Sequence, residues 1–349
     1  MKQSSQLAIP AQLKPLLKLT QRVGRDPSLT QASTGNSSAK LDGLLWIKAS
    51  GKWMVDALRD DILIPLDLAE VTDCLLTNVD PTERYARASL ETAMHAAMPH
   101  RVVLHVHCVN TISWAVRTDA PMQLERRLNG LAWRWLPYVA SGLPLSLEIK
   151  HALSAHSGTN VFVLGNHGLV IAGEDAETVE TLLTDVRRRL AIRPRPVRAP
   201  DLSALLEICC DPRWVLPPAD HGLHALGTDD TSQAILEKGL LYPCQAIFSG
   251  SMAPERFRPV NYRGPGNGRP GPYADRQFLI VKGRGVVVSR SMSRVELAML
   301  SGLARVVQRL NASTPLRYLT ESEVASLFSH RSITNYAVTT AISERERQH

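Results

Sequence analysis

Three histidines and one glutamate are the residues of this sequence best placed to do chemistry. In His105-Val106-His107 the two imidazoles are one residue apart. On a strand such positions project from one face and can meet a single metal ion. The alternative is a structural pair with each ring hydrogen-bonded within the sheet. Burying both beside Val102, Val103, Leu104 and Val106 is costly without partners, and a shared cation satisfies both. His167 stands in Asn166-His167-Gly168, where Asn and Gly favour a turn that presents the intervening side chain at a strand end. Alone it would be a surface-turn histidine. As a third ligand it completes the arrangement of catalytic zinc, three protein donors and an open position. Glu91 opens the segment Glu91 to Met98, which leads through Pro99 into the histidine strand. It is either a carboxylate at a helix N-terminal turn or, beside a metal, a group that takes and returns a proton.

The elements that must position these groups follow from periodicity and punctuation. Arg101 to Val109 is predicted as a buried strand, and Asn160 to Ile171 as two short strands around the His167 turn. Helices are predicted over Pro10 to Arg25, Tyr85 to Met98 and Asp175 to Leu190. The last lays Val179, Leu182, Leu183, Val186 and Leu190 on one face. Pro194, Pro196 and Pro200 then deny a helix its amide donors. A boundary is expected there, dividing the chain into a metal-binding catalytic domain (1–192), a Pro/Arg-rich linker (193–200) and an accessory α+β domain (201–349). Within the accessory part, Leu202 to Cys209 and Thr231 to Lys238 have helical patterns, and Gln277 to Val288 has that of a hairpin. Ser293-x-x-Glu296 and Thr320-x-x-Glu323 are capping boxes that open two further helices, to about Leu310 and through Phe328. The run Gly264 to Gly271 lacks the Lys-Ser/Thr of a P-loop and is expected to be a surface loop.

Composition bounds the function classes. A chain of 349 residues, 44% hydrophobic and 21% charged, is long enough for two cores and typical of folded proteins. The first residues lack the apolar run of a secretory signal, and no apolar stretch is long enough to span a bilayer. A cytoplasmic protein that does not enter membranes is expected. Five cysteines, without paired C-x-x-C elements, point to reduced thiols rather than a disulfide framework. The net charge of +7 favours anionic partners. The basic residues are dispersed, however. Arg187 to Arg189 and Arg193 to Arg198 fit a solvated helix end and a linker, with no interleaved aromatics, so no nucleic-acid partner is expected.

Five motifs in order carry a family resemblance: Ala32-Ser-Thr-Gly-Asn-Ser-Ser-Ala-Lys40, Lys48-Ala-Ser-Gly51, Ser89-Leu-Glu91, His105-x-His107 and Gly165-Asn-His-Gly-Leu169. Together they resemble the successive motifs of class II aldolase/adducin domains, over roughly residues 10 to 190. The resemblance implies an α/β fold, an α/β/α three-layer sandwich around a mostly antiparallel sheet, here with a smaller C-terminal α+β domain. It also implies a homo-oligomer, with a tetramer favoured and active sites at subunit interfaces. His105, His107 and His167 would bind Zn²⁺ or another divalent transition metal. Glu91 would be the acid/base and, at rest, a possible ligand. Gly35, Asn36, Ser50, Gly51 and Ser89 would cradle a substrate phosphate, and Tyr138, in a stretch resembling the family's Pro-Tyr loop, would line the pocket or the core.

The expected function is therefore a zinc-dependent aldolase of carbohydrate metabolism. It would cleave or form a carbon–carbon bond of a ketose or ketose phosphate through a metal-stabilised enediolate. A 3-oxo sugar-acid decarboxylase or a 4-epimerase would use the same site, and an adducin-like non-catalytic binding module is the reading of another class. Departures from the family pattern bear on the substrate. Leu90 replaces a hydroxyl residue found before the glutamate in the small aldolases, which puts phosphate in doubt. Lys40, Lys48 and Lys52 are expected to be solvated unless they compensate, and Cys108 to be inert packing. The spelling around Glu91 to His105 looks most like the aldolase part of bifunctional rhamnulose-phosphate aldolase/dehydrogenases. In that subgroup His224 to Asp229 and Leu241 to Phe248 have counterparts, and the dehydrogenase part is not expected here. Many such relatives carry Asp-His where Cys244-Gln245 stands, so a polar role there is expected to be lost.

Overall fold

Short apolar runs punctuated by turn residues build one large sheet. Its strands are β1 (Asn36–Leu41), β2 (Leu44–Lys48), β3 (Leu63–Asp67), β4 (Val102–Val106), β5 (Trp133–Leu136), β6 (Val161–Leu164) and β7 (Gly168–Gly173). In the computed structural model, which describes residues 8–249, 256–260, 273 and 276–329, they lie in the order β3-β2-β1-β4-β7-β6-β5. All neighbours are antiparallel except the parallel pair β5 and β6. Asp42 and Gly43, both with positive φ, turn β1 into β2, a pairing suited to a two-residue hairpin. The run Gly264 to Gly271 lies outside the described residues.

Alternation on the central strands sorts the two faces. Leu104 and Val106 of β4, with Leu169 and Ile171 of β7, pack against Leu16, Leu19 and Val23 of the helix Lys14–Arg25. Val179, Leu183 and Val186 of the helix Ala176–Arg189 join them. Val103, Phe162, Val170 and Ala172 face the other way, onto Met94 and Met98 and onto Leu145, Ile149 and Leu153 of the helix Leu143–Ala155. The result is an α/β/α three-layer sandwich with a mostly antiparallel sheet. Because both faces are buried, β4 is apolar throughout except for His105.

The C-terminal part adds an antiparallel sheet of β8 (Trp214–Val215), β9 (Phe278–Val281) and β10 (Gly285–Ser289) in the order β8-β10-β9. The helix Arg294–Val307 starts at a complete Ser293/Glu296 capping box. Thr320 and Glu323 exchange the same pair of hydrogen bonds, 2.8 and 3.2 Å, ahead of the helix Glu321–Ser329. Its core is continuous with the first part: Leu303 and Val307 pack with Val109, Ile112 and Val116. Arg195, in the proline-rich segment, is pinned by Gln308, Val307 and Asp229.

Two local expectations fail for identifiable reasons. The strand predicted to Val109 ends at Val106, and Val109 instead opens the helix Val109–Ala115, whose apolar side enters that shared core. The helix predicted from Tyr85 begins only at Thr92. Ser89 breaks it: its hydroxyl accepts the Glu91 amide at 3.3 Å and its carbonyl the Thr92 amide at 3.0 Å, a local turn that competes with helix. Among the described residues no helix is long and apolar enough to cross a membrane.

Candidate functional site

The histidines meet where three chain segments leave the centre of the sheet. His105 sits on β4, opposite Asn36 of β1 and Val170 of β7; His107 follows just past the strand end. His167 occupies the β6–β7 turn, which Asn166 opens at φ 50° and the His167 amide closes on Leu164 O at 3.1 Å. Gly168 makes the convergence possible. A Cβ there would lie 2.7 Å from Val106 O and 3.3 and 3.4 Å from the His105 and His107 rings.

The three rings stand with centroids 4.9, 4.9 and 5.2 Å apart, and one donor atom from each lies within 4.8 Å of the others. His105 Nδ1 donates to Leu169 O at 3.1 Å, which leaves the Nε2 lone pair directed at the cluster. His107 Nε2 lies 3.1 Å from it. Two nitrogens bound tetrahedrally to one zinc, at roughly 2.0–2.1 Å each, are about 3.4 Å apart, so the donor set fits a cation. Burial draws the His105 pKa down to about 4 against the attraction of Glu91, and holds His107 well below its ordinary value. Both shifts favour the neutral imidazole, the form that ligates a metal.

Glu91 completes the cluster from the N-cap of the helix Thr92–Ala97. Its Oε1 is 3.4 Å from His105 Nε2 and 3.2 Å from His167 Nε2, while Oε2 accepts from Asn36 Nδ2 at 2.7 Å. Burial alone would push this carboxyl up, but His105, His167 and His107 together outweigh it and hold the group well below the usual range. A chain of contacts continues behind it. Asn36 Oδ1 accepts from His95 Nε2, and His95 Nδ1 accepts from Ser38 Oγ at 2.7 Å. This fixes the Asn36 amide with its NH₂ toward the carboxylate. Sequence reasoning missed His95; its signal was the spacing from Glu91, four residues along one helix face.

Asn36, Ser50 and Ser89 line a cleft together with Glu91, His107 and His167. Gly35 also lines it, with φ 72° and no room for a Cβ, which would lie 2.8 Å from His105 O. Gly51 turns the chain after Ser50 at φ 74° without entering the lining. Tyr138 is outside the lining too; its ring packs on the second core under the Arg317 guanidinium, 5.1 Å from the ring centre. Lys48 is not solvated as expected. It is 2% exposed, lines the cleft, and its Nζ donates to Ser33 O, Ala49 O and Lys52 O at 3.2, 3.3 and 2.8 Å. Lys40 is half-buried over Met98 O, and burial lowers its pKa to about 8.

The remaining wall comes from the accessory part, through Pro243, Cys244, Ile247 and Leu327. Here the structure corrects the expectation that position 244 has no polar role. Cys244 Sγ is 3.3 Å from His107 Nδ1, and burial pushes its thiol pKa up. Cys108 is buried in the first core, and the cysteines are unpaired.

Known proteins resemble the first part of this chain. The structure of the N-terminal class II aldolase domain of a conserved protein from Thermoplasma acidophilum superposes with a TM-score of 0.47 at 20% identity, over 54% of this chain and 98% of that one. The L-fuculose-1-phosphate aldolase from Thermus thermophilus does so with a TM-score of 0.36 at 19% identity, over 51% and 92%. A Bacillus subtilis (strain 168) protein described as an uncharacterized oxidoreductase, YuxG, is 25% identical over 196 residues, 49% of this chain. The chain spans only 28% of that relative's length. The family model of the class II aldolase and adducin N-terminal domain matches residues 15–192, half of the chain, and the chain belongs to that family.

Proposed function

We propose that the chain is a divalent-metal-dependent lyase, a zinc aldolase that cleaves or forms a carbon–carbon bond of a ketose or ketose phosphate. One observation carries this reading: three buried imidazoles and a glutamate converge, with His107, His167 and Glu91 lining one cleft and His105 behind them. His105, His107 and His167 would hold the ion, with Glu91 Oε1 beside two of them. When bound, it supplies Lewis-acid polarisation of neighbouring carbonyl and hydroxyl oxygens. Glu91, its carboxyl held below the usual range and oriented by Asn36, takes the proton of the substrate hydroxyl whose carbon–carbon bond breaks and returns it to the carbon left behind. Gly35, Asn36, Ser50 and Ser89 cradle the oxygen-rich end of the substrate, with Gly51 shaping the Ser50 turn. The Lys48 ammonium in the same lining favours an anionic one, while Leu90, Ile247 and Leu327 give the cleft an apolar portion.

The same reading places the catalytic domain at 1–192 and an accessory domain after the 193–200 linker, in a cytoplasmic homo-oligomer, with a tetramer favoured. The test is purification followed by metal analysis and a substrate panel of ketose phosphates, free ketoses and 3-oxo sugar acids. Near-stoichiometric zinc and aldehyde release are expected. Carbon dioxide release would instead identify a decarboxylase, and epimer formation an epimerase. Glu91→Gln should retain metal and lose roughly 10²–10⁴ in kcat, the usual worth of a positioned acid/base. Protein that takes up no metal sinks the proposal.

A further inference from the structure

We infer that the accessory part of the chain is a working piece of the metal centre, with Cys244 the positioning residue for His107 and Asn166 the point at which His167 is clamped. The inference rests on the metal reading above and concerns how the ligands are held.

A ligating imidazole uses one nitrogen for the metal and needs a hydrogen-bond acceptor for the N–H of the other, which sets tautomer and ring angle. In a dry site that acceptor must come from the protein. His105 finds one within the sheet, Leu169 O. His107 lies beyond the end of β4, where no ladder carbonyl is set against its Nδ1; the partner there is Cys244 Sγ, on the helix Pro243–Ser249. Both side chains are buried. With Nε2 facing the cluster, Nδ1 carries the proton and donates it to sulfur. His167 Nδ1 has no hydrogen-bond partner among the described residues, so its ring depends on the turn that carries it.

That turn is held from the accessory part as well. Asn166 Nδ2 donates to Leu241 O at 2.8 Å and to Arg317 O at 2.9 Å, and Arg317 Nη1 donates back to Asn166 Oδ1 at 3.1 Å. Glu323 holds the same guanidinium at 2.5 Å. Gln245, next to Cys244, accepts the Leu241 amide at 2.8 Å and so ties the two braces together. Two of the three histidines are thus oriented from residues 241–323, beyond the segment that matches the family model.

The test uses the full chain. Zinc affinity is measured by chelator competition, and the visible absorption of the cobalt(II)-loaded protein reports ligand geometry independently of turnover. Cys244→Ala should weaken zinc by about 10–100-fold, the usual effect of removing a ligand's hydrogen-bond partner, and should shift the cobalt bands. Cys244→Ser, which retains an acceptor, should recover most of both. Arg317→Met, which frees the Asn166 amide oxygen, should weaken zinc in the same range and carries the test if Cys244→Ala does not fold. Unchanged affinity and spectrum in the folded variants would overturn the inference. So would a serine variant as weak as the alanine one, because packing rather than hydrogen bonding would then be at work. A wild-type chain that binds neither metal would instead overturn the metal reading itself.

Discussion

His95 gives the support behind Glu91 a thermodynamic signature. Its ring is fully buried, and burial lowers its pKa from 6.5 to about 3, against the pull of Glu91. The folded state therefore refuses a proton that the unfolded chain accepts below about pH 6.5. Stability from this group is fully present above that pH and falls as pH drops, until the folded pKa is reached. The loss is RT ln(1 + 10^(6.5 − pH)), or about 1.4 kcal/mol at about pH 5.5. His95→Gln removes the titration while keeping a polar side chain of similar reach. Urea unfolding of both proteins with chelator present, at about pH 8 and about pH 5.5, isolates the term, because the other histidines occur in both and cancel. The variant should be less stable at the higher pH, and its deficit should shrink by about 1.4 kcal/mol at the lower one. An equal deficit at both would mean that His95 is charged or solvated in the folded protein, and the proposed orientation of Asn36 would fall with it.

Two further substitutions probe how the cleft is built. Lys48→Met would leave Ser33 O, Ala49 O and Lys52 O without their shared donor. A loss of about 2–4 kcal/mol is expected in denaturant unfolding, as for a buried charged donor; a change near zero would show that water replaces the ammonium. Gly168→Ala drives a Cβ against Val106 O and the His105 and His107 rings. Displaced ligands should weaken zinc by at least about tenfold in chelator competition, and wild-type affinity would mean that the turn relaxes without moving the rings.

What was legible in the sequence is what repeats locally. The helix Ala176–Arg189, the β6–β7 hairpin around His167 and the Ser293 capping box each reveal themselves within a dozen residues, through periodicity or turn chemistry. Of the large sheet, β4, β6 and β7 were legible as strands, and the rest only through the family motifs. β1 opens on Asn36, Ser37 and Ser38 and its first four residues are buried, its buried polar side chains being paired rather than outward-facing. Ser37 bonds Thr20, Ser38 bonds His95, and Asn36 bonds both His95 and Glu91. A strand whose interior is polar for such reasons defeats a hydrophobic pattern. Lys48 was misjudged for a related reason, since three carbonyls pointed at one spot leave no trace in the order of residues.

The site separates along the same line. His105, His107 and Glu91 lie within one stretch that threads a helix, a strand and a turn, so type and spacing marked them as candidates, and the family motifs gave them roles. Cys244 and Arg317 reach the site across 137 and 151 residues of chain, and the neighbours of position 244 suggested only the loss of an acid. Counting hydrogen bonds instead of matching motifs would have raised the right question. Three buried imidazoles that held one metal ion would each need an acceptor for the second nitrogen. A strand pair can serve the ring within its ladder, as Leu169 O serves His105. A ring past the strand end must be served from elsewhere, as Cys244 serves His107, and a ring on a turn depends on what holds the turn, here Leu241 and Arg317 on Asn166.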